Sequence, residues 1–266
     1  MKVYDAVIVG GGHNGLVAAH YLREAGLSVL VLERRHLVGG PCGEIEYFPG
    51  YRSSITNSPG SFEPKFVQDM RLEEFGLEFI RPDPSLVMPF PNGKVFIGWR
   101  EKEKVVECIR SFSEKDATTY YQFFDAFNAL AKKLGYSLFA PPPNIAEISA
   151  KLDTDEDRAL FGKIVFGSID DLMREYFESE EVKSCIGMLA IMSSLAAPST
   201  PGTPYMLMQR PLSLASQAVD SKSHDPRTQP LRGSTGLPKG GMGSIVASMS
   251  RSLQAAGVEI RCNAGV

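Results

Sequence analysis

Residues 5–33 run Asp5-Ala6-Val7-Ile8-Val9-Gly10-Gly11-Gly12-His13-Asn14-Gly15, pass through a helical pattern to Gly26, and close on Ser28-Val29-Leu30-Val31-Leu32-Glu33. An apolar strand thus enters a Gly10-x-Gly12-x-x-Gly15 turn, a helix leaves it, and a second apolar strand ends on an acid. This is the βαβ dinucleotide fingerprint in its full order. Gly10 permits the turn out of the strand, Gly12 lets a diphosphate approach the backbone, and Gly15 lets the helix pack on the sheet. The free N–H groups and dipole of the helix start, where His13 and Asn14 stand, favour negative charge. Glu33 is placed to accept hydrogen bonds from ribose hydroxyls, and it would repel a 2′-phosphate, which argues against NADP.

The fingerprint alone leaves FAD and NAD open. The continuation Glu33-Arg34-Arg35-His36-Leu37-Val38-Gly39-Gly40-Pro41 narrows the choice. A second glycine pair just beyond the acid resembles the corresponding segment of the amine-oxidase and phytoene-desaturase flavoproteins. In that family the acid, a basic residue and a Gly-Gly pair wrap the ribose and diphosphate of FAD. The resemblance implies that Glu33, Arg34, Arg35, Gly39 and Gly40 belong to such a site. Many members carry Arg directly after the glycine pair, where this chain has Pro41.

A second stretch carries the same resemblance. Pro238-Lys239-Gly240-Gly241-Met242-Gly243-Ser244, a helix with Ile245, Val246, Met249 and Leu253 on one face, a stop at Gly257, and the strand Val258-Ile260-Cys262 lead to Val266. This looks like the point where phytoene-dehydrogenase-related flavoproteins re-enter the FAD domain, and it implies that Val266 lies beside the adenine. The expected fold is α/β: a Rossmann-type (GR2-like) FAD-binding domain with an inserted mixed, largely helical substrate domain. The expected segments are 1–75 for the first part of the FAD domain, 76–235 for the insertion and 236–266 for the re-entry. Relatives continue beyond this point, so the sequence resembles an N-terminal portion, either a fragment or a chain completed by a partner.

Between the two motifs, residues 44–65 read as strands and loops crossing a surface, and Pro64–Phe75 as a helix ended by Gly76. Leu77–Ile80 and Lys94–Ile97 read as strands of a small second-domain sheet, the latter after an Asn92-Gly93 turn. Helical patterns follow, the first capped by Ser113 with Asp116 three residues on, the others at Glu156–Val165, Asp170–Phe177 and Glu180–Leu195. The stripe Tyr120, Phe123, Phe124, Phe127, Leu130 and Leu134 is either core or the lining of a groove for an apolar substrate; Met188, Met192, Met206 and Met208 leave the same choice. Residues 216–238 are polar and rich in helix breakers, as in a linker.

With 43% hydrophobic residues among 266 and a net charge of −3, the chain can bury a full core and offers nucleic acid no electrostatic attraction. Its apolar runs are too short to span a bilayer, while peripheral membrane contact stays open. The first strand starts so near Met1 that no signal or transit peptide is expected. Four cysteines without paired spacing suit free thiols in a cytoplasmic protein, and Cys42 lacks the nearby second cysteine that dithiol chemistry requires. No metal-ligand cluster or Ser-His-Asp pattern is visible. His20, His36 and His224 read as packed or solvated, and Arg52 and Ser53 as loop residues, so no catalytic residue is assigned.

The resemblance implies an FAD-dependent oxidoreductase of the dehydrogenase or desaturase type that takes a hydride from a small apolar, isoprenoid-like substrate. A flavin amine oxidase and a non-catalytic FAD-binding or interaction module are the alternatives. Substrate identity and oligomeric state are not legible.

Overall fold

The computed structural model describes residues 2–56, 62–80, 82–137, 140–192, 194–209, 211–212 and 237–266. These residues divide into two compact units. The first comprises the chain up to Pro82 and the segment from 237 onward; the second begins at Asp83.

In the first unit, β1 (Ala6–Val9), α1 (His13–Glu24) and β2 (Val29–Leu32) form the expected βαβ element. β9 (Glu259–Arg261) joins the other edge of β2, so the order is β1-β2-β9 and both pairings are parallel. The registers are Val7 with Leu30 and Val31 with Ile260. Only the central strand is sheltered throughout: Val29, Leu30 and Val31 are buried, whereas Val7 and Val9 of β1 are exposed. α9 (Gly243–Ala255) packs beside α1. Ile245, Val246, Met249 and Leu253, the apolar face read from the sequence, meet Leu16, Ala19, Val29, Val31, Met70 and Leu72 in one core. Each such fully buried aliphatic side chain contributes about 1.5–3 kcal/mol of transfer free energy. Polar ties close the helix ends: Arg23 Nε donates to the Ala256 carbonyl at 2.7 Å, and Ser252 Oγ donates to that of Met70 at 2.7 Å. α1 stops where Gly26 turns to φ +86°, which a side chain would oppose.

After the second glycine pair, β3 (Ile45–Phe48) and β4 (Tyr51–Ser53) form an exposed hairpin. α2 covers only Pro64–Asp69; turns occupy the rest of the stretch to Gly76. β5 (Phe79–Ile80) departs from expectation. It pairs antiparallel with β8 (Leu237–Pro238) in the first unit and does not join the strand near residues 94–97. The break between units therefore follows Pro82 rather than residue 75. Residues 216–236 of the expected linker lie outside the described residues, as does His224, and the last two positions of that stretch form β8.

The second unit is mixed and largely helical. β6 (Leu86–Pro89) and β7 (Val95–Gly98) form its hairpin. Then come α3 (Lys102–Arg110), α4 (Glu114–Leu134), α5 (Ile145–Lys151), α6 (Asp155–Phe166), α7 (Ile169–Tyr176), α8 (Glu180–Ile191) and a 3-10 turn at Thr203–Met208. Ser113, Asn144, Thr154, Ser168 and Ser179 cap successive helices by accepting a backbone N–H three residues on. The aromatic stripe of α4 is core: Phe123, Phe127, Leu130 and Leu134 are buried against Ile169, Leu172 and Ile186. Asp116, fully buried, accepts from the Glu178 and Ser179 amides at 2.9 Å each, tying the start of α4 to the turn before α8.

Candidate dinucleotide site

Two glycine turns from separate parts of the sequence lie against one another in the first unit. The Gly39 amide donates to the Gly11 carbonyl at 2.7 Å, and Gly12 and Gly39 form an isolated parallel bridge. The contact depends on missing side chains. A Cβ on Gly40 would come 3.2 Å from Gly12 Cα, and one on Gly39, whose φ is +131°, would come 2.6 Å from Gly43 Cα. Gly15 is equally constrained, since a Cβ there would lie 2.3 Å from the Gly10 carbonyl oxygen. Gly12 differs: its Cβ would have 3.9 Å to the nearest atom, Gly40 Cα. It would fit the fold and fill the narrow space between the turns.

α1 opens on this space. Its N-cap is Gly12, which offers no side-chain acceptor, and its first turn carries no acid. The first amides of α1 therefore face outward with the positive end of the helix dipole. This arrangement suits a diphosphate and gives a physical fit for a dinucleotide cofactor. His13 is half-buried and Asn14 exposed at that start.

Glu33 is buried and forms the hinge of the site. Its Oε2 accepts from the Gly11 amide at 2.8 Å, and its Oε1 from the Arg35 amide at 2.9 Å. The carboxylate thus fixes the first glycine turn to the end of β2, and each oxygen keeps a lone pair for a further donor. The Arg35 guanidinium reaches the second turn, where Nη1 donates to the Gly40 carbonyl at 3.3 Å. Arg34 is exposed. The re-entry segment joins the same place: the Glu33 amide donates to the Arg261 carbonyl, the Ala264 amide to the Glu33 carbonyl and the Asn263 amide to the Arg35 carbonyl, all at 2.8–2.9 Å. Burial, and after it the charge of Glu33, pushes the Cys262 thiol up. Val266 follows Gly265, whose added Cβ would lie 3.9 Å from Arg34 Cβ, and is itself exposed.

The structure thus brings Gly10, Gly12, Gly15, Glu33, Arg35, Gly39 and Gly40 together, with His13 beside them. Asn14, Arg34 and Val266 lie at its margins with solvent-facing side chains. Four participants escape the sequence reading: Gly11, the amide partner of Glu33; Asn263 and Ala264, the stitches of the tail; and Cys42, whose Sγ lies 3.7 Å from His13 Nδ1. Only the adjacency of Cys42 to the second glycine pair could have pointed to it. His20 is buried and His36 exposed, away from these bonds, and Arg52 and Ser53 lie on the exposed strand β4. Among the described residues, no helix is long and apolar enough to cross a membrane.

A family model for an NAD(P)-binding Rossmann-like domain matches residues 8–61. Pyridine nucleotide-disulfide oxidoreductase domain-containing protein 2 of Rattus norvegicus is 26% identical, over 97% of this chain and 47% of that protein. A lycopene-forming phytoene desaturase of Pantoea ananas is 24% identical, over 97% of this chain and 49% of its own length. The chain spans about half the length of these relatives. Among solved structures, putrescine oxidase bound to putrescine superposes with a TM-score of 0.59 at 19% identity, over 98% of this chain and 51% of that one. The first unit therefore has a Rossmann-like dinucleotide-binding fold, and the homologues of the chain include phytoene desaturases.

Proposed function

We propose that the chain carries the AMP and diphosphate half of an FAD site, and that it belongs to an FAD-dependent oxidoreductase of the dehydrogenase or desaturase type. The observation that carries this reading is the closure of two glycine turns on one another, with buried Glu33 holding the first turn to β2. In this reading α1 and Gly12, with His13 and Asn14, receive the diphosphate. Glu33 offers its remaining lone pairs to ribose hydroxyls, Arg34 and Arg35 flank the ribose and diphosphate, and Val266 lies beside the adenine. Gly39 and Gly40 keep the second turn thin enough for the cofactor to pass. When bound, the flavin supplies a two-electron acceptor for a hydride from a substrate C–H bond.

The kinship with phytoene desaturases supports an apolar, isoprenoid-like substrate, and the second unit is assigned to it. The four cysteines are unpaired, which favours a reducing, cytoplasmic setting. The test is to purify the full chain, add FAD, remove the excess and record the visible spectrum. A retained flavin band that bleaches anaerobically with an isoprenoid alkene is expected. A colourless protein that retains NAD instead would overturn the reading.

A further inference from the structure

We propose that His13 is the side-chain donor of the diphosphate cradle and that Cys42 holds it in place; this rests on the FAD reading above. His13 is the first residue of α1, directly after the Gly12 N-cap. Its Nδ1 lies 3.7 Å from Cys42 Sγ, so the ring is anchored from the second glycine turn while it stands on the first. Among the described residues Nε2 has no protein hydrogen-bond partner, and the ring is half-buried at the open start of the helix. The anchor thus engages one nitrogen and leaves the other for a ligand.

The other groups around the cradle leave this role open. Pro41, after the glycine pair, carries no charge, and Arg35 directs Nη1 to the Gly40 carbonyl. Glu33 engages the Gly11 and Arg35 amides, and Arg34 is exposed. Glu44, just past the second turn, lies against Gly241 and Gly243. α9 meets Gly39 through Val246, and the first turn of α1 holds no acid. An N–H at Nε2 would donate to a diphosphate oxygen, an anionic acceptor that strengthens such a bond.

The experiment is equilibrium titration of the full chain with FAD, whose diphosphate does not itself titrate near neutrality, and with adenosine, which has no phosphate. Wild type is expected to bind FAD about tenfold more tightly than His13→Ala. His13→Lys should restore tight binding, and Cys42→Ser should fall in between. Adenosine affinity and thermal midpoint should stay level across the set. The inference is overturned if His13→Ala keeps the wild-type affinity, or if FAD and adenosine weaken together along with the thermal midpoint. A wild type that binds adenosine but not FAD would overturn the FAD reading itself, and the inference with it.

Discussion

At the residue scale, the glycines of the first turn separate folding from binding. Gly15 lacks a Cβ because 2.3 Å to the Gly10 carbonyl oxygen leaves no room for one. Gly15→Ala should cost about 1–3 kcal/mol or more, seen as a lower urea midpoint. Gly12 has ordinary contact distance around its missing Cβ and an allowed φ of −72°. Gly12→Ala should cost no more than about 1 kcal/mol, since glycine is the better helix N-cap. It should nevertheless weaken FAD by about tenfold or more, because the methyl group fills the diphosphate path. Equal losses of stability in the two variants would contradict this division. Glu33→Gln turns an NH2 group toward one of two backbone donors. Loss of that charge-assisted bond should cost about 1.5–3 kcal/mol in chemical denaturation, together with FAD affinity. A variant as stable as wild type would show that the carboxylate is not the hinge of the glycine turn.

At the element scale, the βαβ unit was legible because an apolar strand, a glycine turn and a 3.6-residue period follow one another locally. The re-entry helix was legible for the same reason. The pairing of Phe79–Ile80 with Leu237–Pro238 was not, since two-residue strands carry no periodicity and their partners are remote in sequence. β6 was missed because Pro89 and Pro91 disguise an edge hairpin. α5 was missed although Asn144 and Glu147 form a capping box, because the preceding proline run drew the reading toward a break. In the site, residue types and spacing gave the glycines and Glu33, while the Cys42–His13 contact and the amide stitches of Asn263 and Ala264 required the fold.

β9 carries a pH-dependent element of its own. The Glu259 carboxyl is held down at about 2 by Lys2 first, then by Tyr4 and Arg261. A depressed carboxyl stabilises the fold above its unfolded value, near 4.5, and loses that effect as pH falls toward about 2. The group is partly exposed, so the effect should be small and salt-sensitive. Thermal midpoints of wild type and Glu259→Gln should converge between those two pH values; a gap that is constant with pH would refute the assignment.

At the scale of the whole molecule, each unit has its own core, and all the cofactor contacts assigned above fall in the first. A ligand held there stabilises the amides of its own site by mass action, by about 2.7 kcal/mol at a hundredfold excess over Kd. The proposed site draws on two remote stretches: the acid and glycines lie within residues 10–40, and the strand that stitches to Glu33 is Glu259–Arg261. Hydrogen exchange of the full chain with and without FAD tests this most directly. The account predicts slowed exchange in Gly10–Leu16, Glu33–Cys42 and Arg261–Val266, with α4 of the second unit unchanged. Protection centred on α4, or none anywhere at saturating FAD, would contradict it.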